Sequence, residues 1–460
     1  MTTLDSCTTM YNSMVFPAGA FHPVCTTNHL TLKTDIMKKT LFRHTLAFLL
    51  SVLLAVGFLI LGAYIPQDPI DENIRQSADG MILEGAYPTM ADHAFASILD
   101  YETDALILAE SKAMSASQFN SILTNPQYMY QTANAVEDLH VYAADQNPEP
   151  SRFYVHYWMG FRPVMRLLLS FFDYYQILRY TAVVFFLLLA AVVCSIANRA
   201  GTKAAFAFMV SIILVRPHVI AVSLQFSCCF LLSFLAMLAV PCIQKKTAWI
   251  SLFFLELGII TQYFDFYTTP ILTFALPLIY LYILRQQDHS TMKLRDICVN
   301  AVSWATGYGL MWLAKLVLTS LLTPVDALGQ GFDAFAGRVG IEIVSGMEDY
   351  YSPVAALRTV AASLYSDREG KLVMLILAAI FCICVLLIAV QRKITVKSIL
   401  AHRCLLVTAA LPLVWFMAAA QPTANHHWFQ YRGIAATFWA GLVYLQLTLQ
   451  KAPDAPAPKQ

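Results

Sequence analysis

The sequence predicts an all-α polytopic membrane protein with about ten transmembrane helices. Apolar residues make up 58% of the 460 positions and charged residues only 13%, against ~25% in typical soluble domains. Mean hydropathy is +0.59, and the net charge of +1 offers no basic face to a nucleic acid. This composition excludes a soluble enzyme, a secreted disulfide-rich module and a nucleic-acid-binding protein.

The composition of the chain changes at Met37. Residues 1–36 are polar and show no pattern, which predicts a disordered or upstream extension, with Met37 as the expected start codon. From Met37 the text MKKTLFRHTLAFLLSVLLAVGFLILGAY combines basic residues with a long apolar stretch. Because that stretch is too long for a typical signal peptide and no small-residue cleavage site ends it, we interpret it as a signal anchor.

Further apolar segments follow at spacings that fit helical crossings of ~20 residues each. The predicted spans are 43–65, 176–198, 204–216, 222–242, 248–262, 271–285, 297–315, 371–391, 398–420 and 433–450. Arg216, Pro217 and His218 interrupt the apolar block 204–242. Such a break predicts a tight turn or a helical hairpin.

Basic residues indicate the orientation, because Lys and Arg collect in cytoplasmic loops. Alternate connections carry such residues, from Lys38 and Lys39 at the start to Lys451 at the end. The pattern predicts a multi-pass protein of the plasma (inner) membrane with both termini in the cytoplasm. The transmembrane domain then covers 37–451, with external segments at 66–170 and 316–370 and a cytoplasmic tail at 452–460.

The first external segment has the composition of folded structure. Amphipathic pieces occur around 98–111 and 118–123, and the aromatic stretch 153–172 carries Arg162 and Arg166 four residues apart. We expect this stretch to form a helix that lies in the membrane interface.

Polar and ionisable residues concentrate at the predicted external ends of the spans. The candidates are Asp100, Glu102, Asp104, His156, Trp158, Arg162, Arg166, Arg216, His218, Gln262, Tyr263, Asp265, Lys315, His426, His427 and Arg432. Arg162, Arg166, Arg216, Lys315 and Arg432 would make a cationic rim suited to a lipid phosphate. A carboxylate above the rim suits deprotonation of an acceptor hydroxyl, so the pattern favours group transfer from a phosphate-linked lipid.

Each candidate also has a structural alternative. Arg162, Arg166 and Lys315 also fit side chains that extend toward lipid headgroups. Asp265 also fits a cap at the N-terminus of the sixth span. His426 and His427 fit hydrogen-bonded interface histidines, because no carboxylate lies at metal-ligand spacing nearby. The sequence therefore predicts no metal site and identifies no cofactor, although it does not exclude the use of a divalent cation.

The arrangement resembles the GT-C superfamily, whose members are integral membrane glycosyltransferases that use polyprenyl-phosphate sugars. The likeness is architectural over most of the chain from residue 37, and the segments that carry it are LDYETDALIL, YVHYWMGFRPVMRLLL, TQYFDFYTTP, GYGLMWLAK and NHHWFQYR. In that superfamily an acidic residue of the first external loop is the catalytic base. Arginines near the membrane surface hold the donor phosphate.

The resemblance implies Asp104 as the first candidate base and Asp100 as the second. It implies a phosphate-binding role for Arg162, Arg216 and Arg432. The expected function is an inverting lipid-linked glycosyltransferase of cell-envelope glycan assembly, with a polyprenyl-phosphate sugar donor, a glycan or lipid acceptor and membrane lipids as partners.

Two other classes stay open. A transporter or flippase of lipid-linked glycans predicts ionisable residues within spans, for which Glu256 is the clearest candidate. A non-catalytic scaffold for an envelope assembly complex predicts that the polar groups do not converge in space.

Overall fold

The computed structural model describes residues 24–90, 97–117, 119–145, 148–265, 268–338, 351–365 and 400–449, with separate pairs of positions between 371 and 387. The first helices are α1 (Val24–Ala63), α2 (Asp68–Glu84), α3 (Tyr101–Ala113), α4 (Phe119–Thr124), α5 (Ala135–Ala144), α6 (Arg162–Leu169) and α7 (Tyr174–Ala200). Next come α8 (Thr202–Leu214), α9 (Pro217–Ala221), α10 (Leu224–Ile243), α11 (Thr247–Phe264), α12 (Ile271–Gln287) and α13 (Leu294–Leu322). The last are α14 (Ala327–Arg338), α15 (Pro353–Leu364), α16 (Arg403–Ala418), α17 (Ala420–Asn425), α18 (His427–Gln430) and α19 (Ile434–Leu449).

The predicted class, an all-α membrane protein, is confirmed. Among the described residues, five helical stretches are long and apolar enough to cross a bilayer: Lys38–Ala63, Tyr174–Ala200, Leu224–Ile243, Thr247–Phe264 and Leu294–Leu322. Shorter apolar helices occupy three more predicted spans, as α8, α12 and α16. Most of predicted span 371–391 lies outside the described residues, so the number ten stays a prediction.

Helix α1 differs from the predicted N-terminal boundary, because it begins at Val24, upstream of Met37. The part of the predicted extension from Val24 onward is therefore helical. The predicted break after α8 is confirmed. Arg216 has φ of 59°, and Pro217 then starts the short helix α9, so the chain leaves one helix and begins another.

Helix α12 is the centre of the bundle, since every side chain from Ile271 to Leu284 is buried. Helices α11 and α13 make an intimate contact at two glycines. A Cβ at Gly258 would lie 2.1 Å from the carbonyl oxygen of Trp304, and one at Gly307 would lie 2.1 Å from that of Leu255. Only glycine permits the two backbones to come so close.

The described residues between α1 and α7 form a packed segment of short helices. Its buried side chains, such as Ile74, Leu108 and Leu139, join the main hydrophobic core. A two-residue antiparallel ladder pairs β1 (Pro126–Gln127) with β2 (Arg152–Phe153). The ladder ties the two ends of the connection around α5 together.

The prediction of one interfacial helix over 153–172 is wrong, because within this range only α6 (Arg162–Leu169) is helical. The chain turns at Met159, where φ is 55°, and Gly160 then donates its N–H to the carbonyl oxygen of Tyr263 at 2.9 Å. Pro163 lies in the first turn of α6, where a missing N–H costs nothing.

Candidate functional site

The two predicted catalytic acids lie one helical turn apart at the start of α3. Asp100 is the N-cap of this helix and accepts a hydrogen bond from the N–H of Thr103 at 2.9 Å. Asp104 is fully buried and accepts hydrogen bonds from the Tyr174 hydroxyl at 2.8 Å and from the N–H groups of Leu224 and Gln225 at 3.2 Å. Asp104 thus holds α3 to the starts of α7 and α10, and it is not among the residues that line the cavity described next.

Asp100 lines a cavity of about 480 Å³, which we call the polar cavity. Helix α3, the turn after β2, the start of α10, the end of α14 and the segment α17–α18 form its walls. The lining residues include Tyr87, Asp100, Glu102, Thr103, Leu106, Glu110, Gln127, Arg152, Tyr154, Tyr157, Gln225, Arg338, Asn425, His426, Trp428 and Gln430. Of the predicted site residues, the cavity brings together Asp100, Glu102 and His426.

Three carboxylates stand in the cavity wall. Burial raises the pKa of Asp100 to about 6 and that of Glu110 to about 7, although a hydrogen bond to each group acts in the opposite direction. Burial also raises the pKa of Glu102, whose carboxylate accepts the N–H of Ala135 at 2.9 Å. Asp100 is thus an acid whose two protonation states are both accessible near neutral pH, as general-base chemistry requires.

Glu110 was not among the predicted site residues, although helical spacing could have indicated it. Glu102, Leu106 and Glu110 follow each other at intervals of four residues, so they share one face of α3. The structure turns that face toward the polar cavity. Asp104 falls on another face, which packs against helices α7 and α10.

Two arginines border the cavity, and neither was among the predicted candidates. Arg152 donates from Nε to the Oε1 of Gln127 at 2.6 Å and lies 5.9 Å from the centre of the Tyr154 ring. Arg338, at the end of α14, lies 5.1 Å from the centre of the Tyr157 ring. Guanidinium groups in these positions can meet a phosphate at the cavity edge.

Aromatic rings complete the walls. The rings of Tyr154 and Tyr157 have centroids 5.5 Å apart, and Trp428 meets Tyr87 edge-to-face at 6.0 Å. His156 packs on Tyr154 at 4.2 Å, and burial lowers the pKa of this imidazole to about 3, assisted by the positive charges of Arg338 and Arg152. The histidine is therefore neutral at physiological pH.

His426 lies at the cavity and His427 beside it. Burial lowers the pKa of His426 to about 4, and its ring stacks on Phe429 at 5.3 Å. The Nδ1 of His427 is 3.2 Å from the hydroxyl of Ser363. Within the described residues, no group of three or more His, Cys, Asp and Glu side chains is arranged to hold a metal ion.

An apolar cavity of about 290 Å³ adjoins the polar one, and we call it the apolar cavity. Tyr157 and Arg338 line both. Its other walls include Gln262, Tyr308, Gly309, Trp312, Phe335, Trp415 and Ala418. The shared boundary places Arg338 where a polar space meets an apolar one, which is the geometry of a site for an amphiphilic ligand.

The predicted cationic rim is corrected for Arg162 and Arg166, which are 0% and 1% exposed. Arg162 donates to the carbonyl oxygens of Ser121 at 3.1 Å and Ile122 at 2.6 Å. These guanidinium groups bind backbone inside the protein, because a buried cation needs local acceptors. They neither reach lipid headgroups nor line the polar cavity.

Lys315 is also fully buried and donates to the carbonyl oxygen of Leu123, with Nζ 5.7 Å from the centre of the Trp158 ring. Arg432 is 1% exposed, donates to the carbonyl oxygen of Trp428 at 2.9 Å and lies 4.2 Å from the Phe226 ring centre. Both predicted phosphate ligands are therefore cross-links between segments of the chain.

Arg216 and His218 do not line either cavity. Arg216 donates to the hydroxyl of Ser97, and His218 is exposed on α9. Arg216 thus connects the break after α8 to the segment just before α3.

The remaining predicted residues are structural, apart from Gln262 in the apolar cavity. Trp158 donates its indole N–H to the carbonyl oxygen of Met311 at 2.7 Å, and the Tyr263 hydroxyl donates to that of Ala55 at 2.8 Å. Asp265 accepts the N–H of Thr268 at 3.1 Å in the turn before α12. This contact resembles the helix-capping role that the sequence offered as the structural alternative for Asp265.

Comparison of the chain with protein-family models, with curated proteins and with solved structures finds no match. The fold itself defines the class, an all-α membrane protein. Within that class the polar cavity, with its carboxylates, arginines and aromatic rings, is the candidate site.

Proposed function

We propose that the protein is a lipid-linked glycosyltransferase of the GT-C type, which uses a polyprenyl-phosphate sugar and acts on the external face of the plasma membrane in cell-envelope glycan assembly. The proposal includes about ten spans, cytoplasmic termini and external segments at 66–170 and 316–370. The observation that carries it is the contact of the polar cavity with the apolar one at Tyr157 and Arg338.

The ligand chemistry follows from the two cavities. Aromatic rings beside carboxylates are the usual surroundings of a sugar, since apolar C–H faces stack on the rings and hydroxyls bond to the acids. An apolar chain attached through a phosphate would continue past Arg338 into the apolar cavity. Arg338 and Arg152 replace Arg162, Arg166 and Arg432 as the proposed phosphate ligands.

The proposed reaction is an inverting displacement. The Asp100 carboxylate takes the proton of an acceptor hydroxyl, whose oxygen attacks the anomeric carbon of the donor. The bond from that carbon to the phosphate oxygen breaks, and polyprenyl phosphate leaves with the bonding electron pair. Arg338 and Arg152 stabilise the negative charge on the leaving phosphate.

The test is sugar transfer by the purified full-length chain in detergent, with a panel of polyprenyl-phosphate sugars and glycan acceptors. We expect Asp100→Asn to abolish transfer while donor binding persists. Asp104→Asn, the matched change one turn away, should retain transfer in whatever fraction folds. Loss of transfer in Asp104→Asn with normal folding, and full activity in Asp100→Asn, would reverse the assignment of the base.

A transporter or flippase of lipid-linked glycans is the second candidate, and one observation favours it. Glu256 in α11 accepts a hydrogen bond from the hydroxyl of Ser51 in α1 at 2.9 Å. Both line an otherwise apolar groove of about 620 Å³ between α1 and α11. An ionisable group inside a span is typical of transport pathways.

Translocation of a fluorescent lipid-linked sugar in proteoliposomes separates the two functions. Transport that requires Glu256 and proceeds without sugar transfer would favour the flippase. Sugar transfer that continues in Glu256→Gln would favour the enzyme. A chain that neither transfers nor moves lipid-linked sugars would support the scaffold hypothesis.

A further inference from the structure

A buried carboxylate in the polar cavity is only half satisfied. Glu110 is 1% exposed, and its Oε1 accepts a hydrogen bond from the side-chain amide of Gln127 at 2.8 Å. Among the polar atoms of the described residues, the other oxygen, Oε2, is buried with no hydrogen-bond partner. A buried acceptor without a partner loses the free energy of its hydration, and a ligand that supplies a donor would restore it.

The carboxylate is held in place by a chain of side chains. Arg152 donates to the Oε1 of Gln127, which fixes the amide so that its N–H₂ group faces Glu110. The side chain of Glu110 therefore has one oxygen that is hydrogen-bonded to the protein, Oε1, and one that is not, Oε2. Fixed orientation of a recognition group reduces the entropy that a ligand must lose on binding.

A second unsatisfied acceptor lies in the same cavity. Gln225, at the start of α10, is 5% exposed, and its Oε1 is also without a partner among the polar atoms of the described residues. Both residues line the polar cavity. A ligand that donates hydrogen bonds would satisfy both acceptors.

The cavity continues on the other side of Glu110. A smaller space of about 170 Å³ is lined by Glu102, Glu110, Gln127 and Arg152, all of which also line the polar cavity, together with residues such as Tyr128 and Asn134. Glu110 thus stands in the wall common to two spaces. A hydroxyl-rich ligand in either space would meet it.

We propose that Glu110 is a specificity-determining residue that binds a hydroxyl group of a sugar through Oε2, with Gln225 as a second acceptor for the same ligand. This inference rests on the proposed function, because both place a sugar in the polar cavity. A phosphate is excluded as the partner of Oε2, since an anion would meet the carboxylate with like charge.

The decisive variant is Glu110→Gln, which inverts the polarity of one atom. The new amide oxygen would keep the hydrogen bond from Gln127, so the N–H₂ group would take the place of Oε2 and convert the free acceptor into a donor. Glu72→Gln is the matched control, because Glu72 is exposed on α2 and lies outside both cavities. Should Glu110→Gln fail to fold, Glu110→Asp moves the free oxygen away while preserving the charge.

The measurement is binding of lipid-free methyl glycosides of hexoses, N-acetylhexosamines and pentoses to the purified full chain in detergent, monitored by tryptophan fluorescence because Trp428 lines the cavity. We expect at least one glycoside to bind the wild type. Its Kd should rise at least ten-fold in Glu110→Gln, or in Glu110→Asp, and stay unchanged in Glu72→Gln.

Three results would overturn the inference. The first is that the Glu110 variants bind the glycosides as tightly as the wild type does. The second is that the wild type binds none of the glycosides. The third is that Mg²⁺ or Ca²⁺ stabilises the protein in a way that depends on Glu110 and competes with the glycosides. The binding assay contains no lipid-linked donor, so its result does not depend on the result of the transfer assay. Glycoside binding without sugar transfer would refute the enzyme and keep the recognition site.

Discussion

Replacing Arg166 by Gln tests whether this arginine stabilises the fold and does not bind a ligand. Its guanidinium makes four hydrogen bonds: from Nε to Gly62 at 2.9 Å, from one terminal nitrogen to Gln67 at 3.0 Å and Ser111 at 2.8 Å, and from the other to Ile65 at 2.7 Å. These contacts join the ends of α1 and α3 to α6. The arginine therefore connects three segments of the chain that lie far apart in sequence.

The expected magnitude follows from those four contacts. Hydrogen bonds from a charged donor contribute about 1.5–3 kcal/mol each, which sets an upper limit of about 6–12 kcal/mol for the set. The amide of Gln can restore part of this, and water can reach the carbonyl oxygens at the helix ends. We expect Arg166→Gln to lower the free energy of unfolding by about 3–5 kcal/mol, the range found when one partner of a buried charged network is removed.

The assay is unfolding of the purified chain by SDS in mixed micelles, followed by far-UV circular dichroism. Arg75→Gln is the control, since Arg75 is exposed and pairs with Glu72 on the surface of α2. Its loss should change stability by less than about 1 kcal/mol. The reasoning would be refuted if Arg166→Gln unfolded like the wild type and bound polyprenyl phosphate at least ten-fold more weakly. That outcome would restore the original phosphate role.

The remaining predictions concern acids and a helix contact. If Asp100 is the base, transfer should rise with pH through a midpoint near its pKa of about 6, and Asp100→Asn should lower the rate at least ~100-fold; a flat pH profile would contradict this. Burial raises the pKa of Asp104 to about 7, above its unfolded value of about 3.9, so the stability from this group is full at low pH and is lost as pH rises from about 4 through 7. Asp104→Asn should remove that slope in SDS unfolding measured at several pH values, and identical slopes in both proteins would count against it. Gly258→Ala should cost at least ~2 kcal/mol because its Cβ would meet Trp304, whereas Gly441→Ala, with open space around it, should be neutral or slightly stabilising; equal thermal midpoints would show that the helices can separate.

The class of the protein and the position of most helices could be read from sequence. A lipid-facing helix must be apolar over most of its length, so composition alone identifies the stretches Lys38–Ala63 and Tyr174–Ala200. The break at Arg216 and Pro217 was equally local, because a proline without an N–H ends a helix whatever surrounds it.

The site was predicted less well, since the roles of polar residues depend on partners far away in the chain. Charge at a span end indicated a cationic rim, yet Arg166 binds carbonyl oxygens at residues 62, 65 and 111, a contact that no local pattern encodes. Asp100 and Asp104 look alike in sequence, but α7 and α10 pack against one of them and leave the other facing a cavity.

Hydrophobicity therefore determined the membrane class from the sequence alone, because transfer into lipid depends on the residues of each segment by themselves. Only the tertiary structure decided which ionisable groups became cross-links and which came to line a cavity. A buried charge must find its acceptors wherever the packed helices bring them, and that pairing is a property of the fold as a whole. The two neighbouring cavities that meet at Arg338 are the clearest product of that packing.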